Sequence, residues 1–245
     1  MPETTAPLHA APRASTALFA RAFGVLTTPR ATYADVAARP RWFGVLAIVV
    51  LLGSAGTFAF LSTDIGKAAM LDQQVKMMES FGVKLNDTAY QRIEQGVDRA
   101  RYTGAIGQAV FFPLGGLIIA GILFAVFNAI MGGNATFKQM YAIVVHSGVV
   151  ISLAQIFGLP LAYARESMSG ATNLAVFLPF LDENSFAARF LGSIDLFQIW
   201  WLISLSIGLG VLYKRKTGPI ANGMIAVYVL IALVIAAIKT AFSGA

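Results

Sequence analysis

Hydrophobic residues gather into five long runs along this chain: Trp42 to Leu61, about Ala105 to Met131, Gln139 to Leu159, about Leu196 to Tyr213, and Pro219 to Ile238. A helix needs roughly 20 apolar residues to cross the hydrocarbon of a bilayer, where every backbone group must bond within its own segment. The windows are clean. Asp, Glu, Lys and Arg are absent between Arg101 and Lys138, between Lys138 and Arg165, and between Lys216 and Lys239, while Asp195 alone interrupts Arg189 to Lys214. The pattern predicts an all-α, polytopic integral membrane protein, a bundle of five transmembrane helices at about 42–62, 105–131, 139–160, 195–213 and 219–239.

The segments between the runs have their own periods. Residues 1–15 are rich in Ala, Pro and Thr with no apolar repeat, so they bury too little to offset ordering entropy and read as a disordered cytoplasmic tail before a membrane domain at 16–245. Leu18, Phe19, Phe23, Val25 and Leu26, with Arg21 and Arg30 among them, predict a short amphipathic helix at the headgroup level, broken by Pro29. A second short helix with Tyr33, Val36 and Ala37 leads to Pro40 and the interfacial Trp42. Ile65, Ala68, Leu71, Val75 and Met78 then recur at helical spacing until Gly82. Asn86 caps a second arm, with Leu85 stapled on Tyr90 and with Ile93 and Val97 continuing the stripe, so a helical hairpin connects the first two runs. Leu174 to Leu181 is apolar but broken by Pro179 and too short to cross, which fits an interfacial or re-entrant piece.

Composition agrees with the membrane class: of 245 residues, 57% are hydrophobic and 12% charged, and mean hydropathy is +0.71. The first run begins at Trp42, far from the N-terminus, and so reads as an uncleaved anchor rather than a signal peptide. Cysteine is absent, which excludes disulfides, thiolate catalysis and zinc–thiolate sites. The net charge of +6 does not point to nucleic acid, because the basic residues flank the runs instead of forming one aromatic-studded face. A bilayer with anionic headgroups is the expected partner, with a membrane-protein partner or a second copy as further possibilities. With the N-terminus inside, the two sides tie at nine basic residues each, and the short turn Lys214-Arg215-Lys216 decides. The expected placement is the cell (inner) membrane, N-terminus cytoplasmic and C-terminus outside.

Polar groups within lipid-crossing segments are the candidates for chemistry: Asn128, His146, Gln155, Asp195, Gln198 and Asn222. Depth allows an inner cluster of Asn128, His146 and Asn222 and an outer one of Gln155, Asp195 and Gln198, which a small transporter or channel would need. The plainer reading is interhelical hydrogen bonding worth about 0.6 kcal/mol per contact. For Asp195 it is the capping of a helix N-terminus. His146 has no second intramembrane histidine with which to build a metal site. No HExxH, phosphate loop, nucleophile elbow or dinucleotide turn occurs, so no catalytic, cofactor or metal residue is assigned. Interaction candidates are those intramembrane groups except Asn222, together with Lys214, Arg215 and Lys216. Small residues four apart, Ser204 with Gly208, Ser206 with Gly210 and Gly116 with Ala120, allow close helix approach.

Three stretches resemble the Yip-domain family of five-span membrane proteins in its short prokaryotic branch: Thr27 to Pro40, Gly132 to Phe157, and Leu191 to Tyr213. They supply a proline-aromatic segment (Pro29, Tyr33), a Gly-x-x-Thr-Phe turn (Gly133 to Phe137) and an Asp-x-Phe-x-x-Trp run (Asp195 to Trp200). The order and spacing match over roughly residues 16 to 240. Eukaryotic members of that family take part in vesicle traffic and contact prenylated Rab-type small GTPases. The resemblance implies an analogous non-enzymatic scaffold or partner-binding role here.

Overall fold

A computed structural model describes residues 17–182 and 184–242; the expected tail at 1–15 lies outside them. Helices α1 (Leu18–Thr27) and α2 (Pro29–Ala38) precede α3 (Phe43–Leu61) and α4 (Asp64–Ser80). Then come α5 (Asp87–Phe124), α6 (Phe137–Ser147), α7 (Val149–Ala164), α8 (Phe186–Gly192), α9 (Leu196–Leu212) and α10 (Thr217–Phe242). Local chemistry sets the boundaries. Pro29 opens α2 at a position where its missing N–H is not needed. Thr63 accepts from the Gly66 N–H at 3.0 Å, and Asn86 accepts from the Ala89 N–H at 2.8 Å. Thr136 and Gln139 form a reciprocal capping box at the start of α6. Gly82 and Gly132 take φ of 76° and 69°, the left-handed geometry that glycine tolerates best, and each lies just beyond a helix end.

Four helical segments are long and apolar enough to cross a membrane: Phe43–Leu61, Asp87–Ile130, Phe137–Ala164 and Thr217–Phe242. The remaining apolar rod, α9, has 17 residues and therefore spans only ~26 Å. It is nevertheless well enclosed, with Leu205 and Leu209 fully buried in the same core as Met140 and Ile143 of α6. The outward faces of α5 and α10 carry exposed Ile118, Ile122, Leu230 and Val234, an apolar coat suited to lipid rather than water. The protein is an all-α polytopic membrane protein.

Three features depart from the simplest reading of the pattern. The second arm of the expected hairpin does not stop before the second run: α5 rises from Asp87 straight into it and ends in a π-helical turn, Ala125–Ile130. Between Arg101 and Ala105 there is no proline, and Gly104 packs closely against Thr57 and Leu61 of α3, so amphipathic and lipid-facing sections share one rod. The third run is two helices, stepping at Gly148, where the Phe112 ring packs so close that an added Cβ would lie 2.9 Å from its Cζ. The fourth run is one unbroken helix, α9, but a short helix not expected from the pattern, α8, stands before it, separated by Ser193, Ile194 and Asp195. Into that gap folds the segment around the 3-10 turn Leu174–Phe177, through Leu174 N–H to Ile194 O at 2.9 Å and Leu196 N–H to Thr172 O at 3.1 Å.

The chain threads between two poles. At the first, Gln139 reaches from α6 to the Ala37 carbonyl at 2.9 Å, and Arg215 reaches the Met131 carbonyl at 3.1 Å. At the second, Lys239 near the end of α10 lies over the Phe81 ring beyond α4, 5.6 Å from its centroid. Arg189 of α8 bonds the Lys239 carbonyl there. Lys67 and Asp98 clasp α4 to α5 at 2.9 Å, and the ammonium holds the Asp98 carboxyl below the usual carboxylate range. A depressed carboxylate contributes fully above its unfolded value and is lost as pH falls through its folded one. Protection of the α4 amides, taken relative to their intrinsic exchange at each pH, is therefore expected to be unchanged from neutral pH down to about 4, then to fall. The Lys67→Met variant should lack that step.

Candidate functional site at the basic pole

The two short N-terminal helices are built into the bundle. Tyr33 and Val36 of α2 are fully buried, and the Tyr33 hydroxyl pairs with Ser204 Oγ of α9 at 2.7 Å. Room for the ring comes from Gly208 one turn on, where an added Cβ would stand 3.1 Å from Tyr33 and 2.5 Å from Ile143. Ser204 and Gly208, four residues apart, thus serve close packing inside one chain. Helix α1 turns Arg21 inward, with its side chain only 4% exposed, to meet Asp35 of α2 at 2.7 Å. Asp35 also takes Arg39 at 2.6 Å, and Arg21 donates to the Arg39 carbonyl at 3.3 Å. The opposite face of α1 presents Phe19 and Phe23, both strongly exposed. A helix that hides its charge and shows its aromatic rings is placed for contact with lipid or with another apolar surface.

Each polar group singled out from the sequence has its own surroundings, and the two imagined clusters do not form. Asn128 donates to the Ala135 carbonyl and accepts from the Tyr213 hydroxyl, both at 2.7 Å, tying the turn after the π-helix to the end of α9. His146 is wholly buried, donates from Nδ1 to the Ala142 carbonyl at 2.7 Å, and lies within electrostatic reach of Arg21 and Asp35 rather than of Asn128. Asn222 is exposed on α10. Gln155 faces Gln108 across Gly53, where an added Cβ would lie 2.8 Å and 2.7 Å from their respective amide atoms. Asp195 caps α9, accepting from the Phe197 and Gln198 N–H groups at 2.8 and 3.1 Å and from the Thr172 hydroxyl. Tyr228 of α10 completes that junction, accepting the Asp195 N–H at 3.0 Å and donating to the Ser193 carbonyl at 2.9 Å. Gln198 faces the apolar space between α5, α9 and α10.

The physical reason is register. Equal depth along two helices brings side chains together only when both faces point at one another, and here α2 occupies the space beside α6 and α9. A helix broken within a span is what a transport path exploits; the gap between α8 and α9 lies at the mouth of the fourth run, and its polar atoms are taken up by Thr172, Tyr228 and the first turn of α9. The Arg21–Asp35–Arg39 group was not among the sequence candidates. Its signal was present: Asp35 is the one acid among the arginines of residues 17–41, four residues from Arg39.

What remains open to solvent at the first pole is positive charge. Arg30 of α2 and Lys214, Arg215 and Lys216 of the α9–α10 turn wall a cavity of about 470 Å³, with no carboxylate among its lining residues. Lys214 holds a left-handed φ of 53°, closing α9 where glycine would be usual, and so fixes the turn tightly against Gly210. The second pole is different. Lys76 there is paired with Asp72 at 3.0 Å and Lys67 with Asp98, so its charge is largely balanced.

Helices of membrane-crossing length, an apolar outer coat and two poles of unlike charge define a multi-pass α-helical membrane protein. Among the described residues no group of His, Cys, Asp or Glu is placed to hold a metal ion. The chain belongs to the Yip1 domain family, whose model matches residues 23–238. It is similar to "Membrane protein YknW" of Bacillus subtilis (strain 168), at 25% identity over 227 residues, 91% of this chain and 89% of that protein. No solved structure matches it.

Proposed function

We propose that this protein is a non-enzymatic scaffold of the cell membrane that organises lipid and protein partners through its basic pole, with that pole and the N-terminus facing the cytoplasm. The observation that carries this reading is the contrast at the first pole. Its enclosed charges, Arg21 and Asp35, are paired with each other, while the rings of Phe19 and Phe23 and the cations of Arg30 and Lys214 to Lys216 are displayed outward. Orientation follows from the short turns, because the far pole's basic residues sit mostly on a long hairpin whose arms project from the bilayer. Basic turns meet the anionic leaflet, and α1 wedges its rings among the headgroups beside them. Replacing Lys214, Arg215 and Lys216 together with alanine loosens both orientation and lipid binding on this reading.

A photo-crosslinking residue at Phe19 or Phe23, in cells, tests the partner role. It is expected to yield a protein adduct of defined mass, whereas the same residue at Ile118 on the lipid coat yields lipid adducts alone. Lipid adducts alone at all three positions, with no protein adduct at Phe19 or Phe23, would contradict the partner role.

A further inference from the structure

An apolar cleft of about 900 Å³ runs between α5, α9 and α10, within the size range of ligand sites, ~300–1,000 Å³. Ile122 and Val126 form one wall, Leu202 the floor, and Gly223 and Val227 the other wall. Its limits along α10 are Lys216 at the first pole and Ile231, ~22 Å apart by helical rise. That length exceeds half of the ~30 Å hydrocarbon thickness, the reach of one leaflet's acyl chain. The exposed Ile122, Val227 and Ile231 show that the cleft opens sideways toward the membrane. Arg215 and Lys216 line its polar end and also line the cavity shared with Arg30 and Lys214, so four cations and a 22 Å apolar trough are one continuous surface.

We infer that this surface is a binding site for a single anionic phospholipid, with the phosphate among Arg30, Lys214, Arg215 and Lys216 and one acyl chain in the trough. Charge complementarity selects the occupant. A zwitterionic lipid gains little from four cations without a nearby carboxylate. A second copy inserted in the same membrane has the same orientation and would bring its own basic pole against this one. The inference rests on the reading that the basic pole meets anionic lipid, and it narrows that contact to one place. Gly223 gives a clean handle: an added Cβ there meets no atom within 4 Å, so a larger side chain occupies the trough without disturbing the packing around it.

Native mass spectrometry of the full chain in mild detergent tests this, titrating dioleoyl phosphatidylglycerol against dioleoyl phosphatidylcholine. The unaltered protein is expected to retain one phosphatidylglycerol per chain, preferred about tenfold or more, the scale set by one to two cations at an anionic surface. Gly223→Leu should reduce retention of both lipids about tenfold while Gly223→Ala does not, and Lys214→Gln with Lys216→Gln should abolish the preference but leave tail binding. Helical circular dichroism confirms that the variants fold. Soluble glycerol 3-phosphate should compete weakly, because it lacks the tail. If the lysine variants lose lipid while Gly223→Leu does not, the pole attracts lipid without a built site and this inference falls alone. Indifference of all variants would remove the pole reading as well. Conversion of a dimer to a monomer by Gly223→Leu would assign the trough to a second copy and overturn the lipid assignment.

Discussion

Asp35→Ala is expected to be the most damaging single substitution in the N-terminal hairpin, lowering stability by about 3–5 kcal/mol, because it strands a buried guanidinium without its counter-charge. Arg21 is nearly excluded from solvent, and its carboxylate partner lies 2.7 Å away. For a chain of this size the loss corresponds to a fall of about 6–20 °C in unfolding temperature in detergent, at roughly 2–4 °C per kcal/mol. Removing both charges should be milder. The Arg21→Met, Asp35→Leu double variant keeps the volume and discards the desolvation cost, so most of the stability should return, with Arg39 partly exposed and able to reach water. A double variant as unstable as Asp35→Ala would show that the pair acts through something other than its charge.

Gly208→Val should be the second large effect. Its Cβ would stand 2.5 Å from the Ile143 Cγ2, a methyl on a β-branched side chain with one comfortable rotamer in a helix, and 3.1 Å from the Tyr33 ring. Neither neighbour can swing aside, since both are fully buried. Overpacking of this kind costs about 1–3 kcal/mol and here pushes α2 off α9. Loss of the Tyr33–Ser204 hydrogen bond would add about 1 kcal/mol. Gly121→Ala is the control, because no atom lies within 4 Å of its added Cβ. Proteolysis after Arg30 or Arg39 should accelerate in Gly208→Val alone; equal protection in both variants would mean that α2 is not seated on Gly208.

Run length and the absence of charge were enough to locate the membrane-crossing rods, since the bilayer imposes a minimum apolar length that few soluble helices meet. Caps were legible for the same local reason: Asn86 and Asp195 carry short acceptors next to free N–H groups and need no tertiary information. What escaped sequence reading depends on faces rather than on length. The pattern of α1 places Phe19 and Phe23 on an apolar side, yet nothing local says that the bundle takes Arg21 and leaves the rings outside. The fit of Tyr33 against Gly208 is likewise a pairing across 175 positions, visible only once α2 and α9 are brought together. At the candidate site the Lys214-Arg215-Lys216 turn stood out by composition. Its junction with Arg30 and with the trough beside Gly223 did not, because both require the α9–α10 hairpin to be folded.

The arrangement of two poles on opposite sides of a bilayer can be measured directly, because the chain has no cysteine of its own. Single substitutions Glu79→Cys, on the hairpin pole, and Asn134→Cys, on the basic pole, would be treated in intact cells with a membrane-impermeant maleimide. Glu79→Cys is predicted to label at once and Asn134→Cys only after the membrane is opened. Labelling of both positions from the same side would contradict the five-rod path between the poles.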